Sequence, residues 1–414
     1  MTLAYTLLAI ATAWLIYVYV GYPLCLWILA RFRSVQHAAD DSYLPFVSVL
    51  IAARNEEKDI GWKVRQTLGW DYPKERLEVL VASDASDDRT DEILRQISDP
   101  RLRFVRIENR GGKVRALNRL ARIATGELLF FTDANSDIAP GALRLIVRHF
   151  ADPRVGCVTG CDRTASESLE GVIGAGEKTY WDYEAMVTEL ESRNGSVLVC
   201  FGAIHCVRTS LYVDCDPDLA NDLEVPMRIG TRGYSVLWEP RSVCVEKATE
   251  SASEEFKRRR RICGQGALAY ARLMRTVRGL RAWQFFSRKL LRWLAVCPAT
   301  VAFAGSAILF SRHSELGRNI LAAQLAFYLA AAIGWMCAER GWRGTYIFAL
   351  PFYFVLVHLA AFLGVIDAVV GRRCATWYAA SLTRGQSFVV TEPHVLEDLL
   401  AQPSSVVGVT KTGD

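Results

Sequence analysis

Four long stretches of this 414-residue chain lack Asp, Glu, Lys and Arg altogether: residues 3–30, 293–311, 319–338 and 344–366. Each is long enough to cross a hydrocarbon core about 30 Å thick, which excludes a purely soluble protein. No Lys or Arg precedes the first block, and its apolar run is too long for a signal peptide. The chain also lacks any Cys-x-x-Cys pair. Its eleven cysteines are odd in number, and Cys25, Cys297 and Cys337 lie in apolar runs. A disulfide framework or a zinc site is thereby excluded, and Cys157/Cys161 and Cys200/Cys206 read as small buried hydrophobes. Strong net charge is missing as well. The formal balance is only +5, and its excess flanks the apolar blocks, which points to anionic lipid and not to nucleic acid.

What remains, roughly residues 45–285, is mixed in character and reads as a globular layer. Arg31 and Arg33 follow the first block, and Arg275, Arg278, Arg281, Arg288, Lys289 and Arg292 precede the second. The positive-inside rule places the layer between them in the cytoplasm. One crossing before the layer and three after it would put residues 371–414 outside, where Arg372 and Arg373 are disfavoured. Either the rule bends or one block does not cross.

Between residues 46 and 159 strand and helix patterns alternate. Phe46–Ala53, Leu77–Ala82, Arg103–Ile107 and Glu127–Thr132 read as buried strands. Glu56–Leu68, Asp88–Ile97, Gly112–Ile123 and Pro140–Phe150 read as helices. This order predicts a parallel α/β sheet, whose ligands bind beyond the carboxyl ends of the strands. Three of those ends are polar: Arg54-Asn55-Glu56-Glu57, Ser83-Asp84-Ala85-Ser86-Asp87-Asp88 and Asp133-Ala134-Asn135-Ser136-Asp137. Carboxylates gathered on one rim repel unless a cation joins them, and hard oxygen ligands suit a divalent ion serving a phosphate-bearing substrate. Asp84 and Asp88 also fit turn and N-cap roles. The run Gly171–Thr179 misses the phosphate-loop spacing and is set aside. Asn194-Gly195-Ser196 is a formal glycosylation sequon that a cytoplasmic layer would never present to that machinery.

The segments Val47–Glu56, Ser83–Thr90, Gly112–Asn118 and Phe131–Asn135, in this order, resemble the motifs of family 2 glycosyltransferases. The likeness is to the membrane-embedded cellulose-synthase-like and hyaluronan- and chitin-synthase-like branch, and it covers about residues 45–270. It implies a GT-A fold, a Rossmann-like nucleotide-sugar-binding domain, in the cytoplasm beside α-helical transmembrane segments. The expected layout is an N-terminal transmembrane helix (1–32), a GT-A domain (45–270), an interfacial amphipathic helix (271–292), three transmembrane helices (293–371) and a tail (372–414).

The resemblance further implies a nucleotide-sugar donor, most often a UDP-sugar. On it, Arg54, Asn55 and Glu56 line the nucleotide pocket, Asp84 meets the uracil or ribose, and Lys113 lies near the nucleotide. Asp133 is the first acid of the DxD motif that meets Mg²⁺ or Mn²⁺. The second acid is here Asn135, whose amide oxygen can ligate without charge, and Asp137 is a candidate replacement. Phe201-Gly202-Ala203-Ile204 matches the acceptor-contacting segment. Asn221-Asp222 stands at the catalytic position, with Asp222 as general base. Lys257–Ile262 matches Gln-x-x-Arg-Trp, with Arg258 at the Gln position, Arg261 at the Arg and Ile262 at the Trp. The activity implied is inverting hexosyl transfer to a growing β-linked polysaccharide at the inner membrane, where other exopolysaccharide-pathway proteins are possible partners. Two rivals stay open: transfer of one sugar to a lipid-linked or oligosaccharide acceptor, and a catalytically inactive nucleotide sensor or scaffold. The uncharged blocks argue against a transporter.

Overall fold

The computed structural model describes residues 1–33, 35–164, 171–246, 251–340 and 346–372. The C-terminal tail expected over 372–414 lies almost wholly outside them.

Among the described residues the core is one sheet of eight strands: β1 (Val47–Ala53), β2 (Leu77–Asp84), β3 (Leu102–Ile107), β4 (Leu128–Asp133), β5 (Asp137–Ile138), β6 (Val155–Thr164), β7 (His205–Arg208) and β8 (Ser235–Glu246). Their order across the sheet is β3-β2-β1-β4-β7-β6-β8-β5. β1 and β2 are buried along their whole length, which is why they read as unbroken apolar runs. The first four strands are parallel neighbours. The parallel arrangement expected of the repeat over 46–159 holds for these four, and beyond them β7 enters antiparallel between β4 and β6. Two reversals restore direction, so β6, and β8 parallel to it, run the same way as β1–β4. Six carboxyl ends therefore share one rim of the sheet. One face carries the helices Ile60–Leu68 and Ala142–Val147 over a core that includes Val49, Ile51, Val79, Phe130 and Ile146. The other carries Lys113–Ile123 and Asn221–Thr231 over Leu50, Leu80, Leu129 and Phe131.

Among the described residues, three helices are long and apolar enough to cross a membrane: Thr2–Phe32, Glu315–Glu339 and Ala349–Val369. The first contains a π turn at Tyr17–Gly21. Pro23 follows it and cannot donate to the Tyr19 carbonyl, so the ladder slips there. Tyr183 of the long helix Gly171–Arg193 donates its hydroxyl to that carbonyl at 3.3 Å. The helix Gly171–Arg193 also leaves no loop at Gly171–Thr179 for a phosphate.

The second uncharged block is not a straight span. Val296–Ser311 has 16 residues, about 24 Å of helix against about 30 Å of hydrocarbon. It is bent by 54° from Gly279–Trp293. Pro298 lacks the N–H that would reach the Leu294 carbonyl, and the break falls there. Residues 270–292 do not form the single amphipathic helix expected of them. Ala252–Leu273 ends first, and a new helix begins at Gly279, whose φ of +62° favours glycine. The basic residues beyond it turn inward. Arg288 is buried and pairs with Glu184 at 2.8 Å and with Glu191, while Arg292 pairs with Glu184. Arg260 grips Asp367 of the last apolar helix through two bonds of 2.5 and 2.8 Å.

Candidate active site

Strand direction delivers the side chains. β1 ends at Ala53, and Asn55 then adopts φ +51°, a left-handed position that asparagine tolerates better than most residues. This turn lets its N–H donate to Ser86 Oγ at 3.1 Å and its Oδ1 accept from the Asp87 N–H at 3.0 Å. Glu56 is buried and its N–H donates to Thr90 Oγ1 at 2.8 Å. Arg54 donates to the Asp84 carbonyl at 3.2 Å. The first two polar strand ends are thus laced together.

Asp84, the last residue of β2, is fully buried. Its two carboxylate oxygens accept the N–H groups of Gly111 and Gly112 at 2.7 Å each. Gly112 sits at φ +84°, ψ +164°, a region essentially reserved for glycine. Gly112→Ala is expected to cost about 1–3 kcal/mol of stability. Thermal melts of the variant against the wild type check this.

Next in sequence, Lys113 is ion-paired with Asp133 at the end of β4. Burial lowers the Lys113 amine, but the carboxylates of Asp133, Asp222 and Glu246 outweigh it and hold it above its usual range. Asp222 lies in the first turn of Asn221–Thr231, and its carbonyl accepts the Cys200 N–H at 2.8 Å. Burial pushes its carboxyl up; the charges of Lys113 and, more weakly, Arg261 pull it down, and Asp133 pushes it up. Gly202 lies beside it: a methyl group there would sit 3.3 Å from Asp222 Oδ2. Ala203 is buried in the same turn, which Ile204 closes by donating to the Phe201 carbonyl at 3.1 Å. Asn221 is buried, and its Nδ2 has no hydrogen-bond partner among the described residues. Asp84 and Asp133, far apart in sequence, therefore converge on Gly111-Gly112-Lys113, and Asp222 lies near enough for its charge to act on Lys113.

Asn135 is exposed beside Asp133. Asp137 does not compensate for it: Asp137 is buried, paired with Gln66 and hydrogen-bonded into β5 against β8. Arg261 is half-buried on Ala252–Leu273, close enough for its charge to act on Asp222. Arg258–Arg260 each take carboxylate partners within the structure. Arg258 lies 3.8 Å from both Glu177 and Glu255. Arg259 is buried against Glu255, with its guanidinium 4.3 Å from the Tyr180 ring.

The sequence reading missed two further acids on this rim. Asp162 and Glu246 come from the carboxyl ends of β6 and β8, whose register sets Asp162 opposite Cys244 and Thr164 opposite Glu246. Burial and mutual repulsion, Asp133 included, raise both carboxyls. The signal was available, since Asp162 closes an apolar run as Asp84 and Asp133 do. Lys63 was missed too. It shares the inward face of its helix with Ile60, Val64 and Thr67, and a lysine at such a position is a buried one. Its amine donates to Thr132 Oγ1 (3.0 Å) and to the Ser136 carbonyl (2.7 Å), pinning the turn that carries Asp133 and Asn135. Burial pushes that amine down to about 8.

Among the described residues no three His, Cys, Asp or Glu side chains already form a metal cage. The donor chemistry nevertheless fits a divalent ion: hard carboxylate oxygens that repel one another, with an amide beside them.

Residues 48–212 match the family model described as Glycosyl transferase family 2. The chain carries a family 2 glycosyltransferase domain. In 136 aligned residues the chain is 36% identical to a beta-monoglucosyldiacylglycerol synthase of Synechocystis sp., an alignment spanning 31% of the chain and 28% of that protein. It is 27% identical over 220 residues to a poly-beta-1,6-N-acetyl-D-glucosamine synthase of Staphylococcus aureus, covering 51% of the chain and 52% of the relative. The matches thus span about half or less of these curated relatives. Among solved structures, the mannosyltransferase PcManGT from Pyrobaculum calidifontis, in complex with GDP-Man and Mn2+, superposes with a TM-score of 0.68 at 23% identity, over 89% of this chain and 100% of that one. That likeness is one of fold, and the glycosyltransferase core is of the GT-A kind.

Proposed function

We propose that this protein is an inverting hexosyltransferase of the inner membrane, with its catalytic layer in the cytoplasm, which moves a sugar from a nucleotide-sugar donor, UDP-linked by preference, to a growing β-linked polysaccharide. One observation carries the reading: Asp84 and Asp133 meet at Gly111-Gly112-Lys113 on a single rim of the sheet, with Asp222 near enough for its charge to act on Lys113. Arg54, Asn55, Glu56 and Asp84 hold the nucleoside side. Lys113 and Arg261 face the diphosphate. The Asp222 carboxylate takes the proton from an acceptor hydroxyl as that oxygen attacks the anomeric carbon. The bond from that carbon to the diphosphate breaks, and its electron pair leaves on the phosphate oxygen. One displacement inverts the configuration, so an α-linked donor yields a β-linkage. Gly202, Ala203 and Asn221 border the acceptor.

Asp133 and Asn135 would hold a divalent cation, Mg²⁺ or Mn²⁺. When bound, it supplies positive charge to the departing diphosphate. PcManGT, the fold neighbour, was solved with Mn2+ and GDP-Man.

A second reading, single transfer to a lipid-held acceptor, is favoured by the contact between the last apolar helix and Ala252–Leu273, the helix that bears Arg261. Tyr353 of Ala349–Val369 donates to Glu255 at 2.7 Å and accepts from Arg259 at 3.0 Å. A panel of UDP- and GDP-sugars, with the product sized on a gel, tests both. Consumption of one donor with a ladder of products is the expected result. A single short product favours the lipid acceptor, and no consumption of any donor overturns the enzymatic reading.

A further inference from the structure

Linked to the proposed base through Phe201 and Gly202 is a pair of side chains that the mechanism above does not use. Glu177 and Trp181 stand one turn apart on Gly171–Arg193, and the indole N–H donates to Glu177 Oε1 at 3.3 Å. The Trp181 ring packs 5.8 Å from the ring of Phe201, the residue before Gly202, which itself adjoins Asp222. On another side the buried Arg259 guanidinium lies 5.3 Å from the indole and holds it in place. Trp181 is only half-buried. Glu177 is 2% exposed, and its second oxygen, Oε2, accepts no hydrogen bond among the described residues. A buried carboxylate oxygen left without a donor is costly. An apolar aromatic face beside it is what a pyranose ring presents its C–H face to, while a sugar hydroxyl supplies the missing donor. Ile262, at the position where the family's tryptophan was expected, is 39% exposed.

We propose that Trp181 and Glu177 form the subsite for the terminal sugar of the acceptor, so the acceptor is a pyranoside and not a bare lipid alcohol. This rests on the transferase reading given above and names its acceptor class. Trp181 supplies the platform and Glu177 Oε2 accepts from a ring hydroxyl, presenting the neighbouring hydroxyl to Asp222.

The test uses the full chain in detergent, the donor found by the panel, and octyl glucoside, octyl N-acetylglucosaminide and octyl mannoside as acceptors, with diacylglycerol vesicles as the sugar-free comparison. Calorimetric binding of UDP verifies that each variant is folded. Trp181→Ala and Glu177→Gln are expected to raise the KM for the glycoside about tenfold and to leave the donor KM where it is, and Trp181→Phe should recover most of the loss. Should Trp181→Ala fail to bind UDP, the phenylalanine and glutamine variants decide the matter by the same split. The inference is overturned if acceptor KM stays at the wild-type value, if donor and acceptor KM rise together, or if the wild type glycosylates diacylglycerol and none of the glycosides. Wild-type transfer with an unmoved acceptor KM sinks this inference alone, whereas a wild type that consumes no donor sinks the transferase reading.

Discussion

Asp222→Asn is expected to lower sugar transfer by about 10²–10⁴-fold, the usual worth of a positioned general base, while UDP still binds. The amide keeps the shape of the side chain but cannot take a proton from the acceptor hydroxyl. The surroundings tune the wild-type group. Burial raises the Asp222 carboxyl, Lys113 and Arg261 restrain it, and Asp133 adds to the rise. A base must be ionised to act, and a raised carboxyl loses its negative charge earlier as pH falls. The acid limb of kcat/KM should therefore lie above the ordinary aspartate value of about 3.9, with activity lost as pH drops through it. Neutralising the second acid of the pair, in Asp133→Asn, should move that limb downward, since a repelling charge is gone. A limb that stays put in that variant contradicts the coupling of the two acids.

The second large effect concerns Asp133 itself. Asp133→Asn should reduce kcat by about 10²–10³-fold, the scale on which one electrostatic contact to a departing charge is felt. Donor binding should also cease to respond to divalent ions. Lys113 is then released from its ion pair and can still meet the diphosphate, so UDP binding weakens without vanishing. Chelation of divalent ions from the wild type should mimic the substitution, and the two should not add, because both remove one interaction. Activity that falls further when the variant is chelated would place the ion elsewhere.

The sequence made part of this arrangement legible for a physical reason. Strands buried on both faces must be apolar throughout, so β1, β2 and β4 stood out with their polar ends attached, and the switch from strand to helix marked the rim. Asp84 and Asp133 were reachable in this way; Asp222, in the first turn of a helix, was reached only through the family resemblance. Asp162 closes an apolar run in the same way, but that it and Glu246 share this rim was not legible, because the order of β6, β7 and β8 in the sheet departs from their order in the chain. No local pattern announces that β7 will slip between β4 and β6. Helix starts were read early where a turn intervened: the chain spends Asn55–Asp59 on lacing two strand ends and begins its helix only at Ile60. Charge was misread where partners are distant. Arg288 and Arg292 look like residues for a lipid surface, yet Glu184 and Glu191, about a hundred positions away, take them inside. Lys63 and Asp137 exchange the roles their types suggest, the lysine serving the site-bearing turn and the acid tied to Gln66.

The most direct test of the central claim is an anomalous-scattering map from crystals of the full chain grown with UDP and Mn²⁺. The account predicts a manganese peak at the carboxylate of Asp133, with the diphosphate reaching Lys113 and the uridine held by the Arg54–Glu56 turn and Asp84. A nucleotide bound away from Gly111-Gly112-Lys113, or manganese on none of the rim carboxylates, would contradict it.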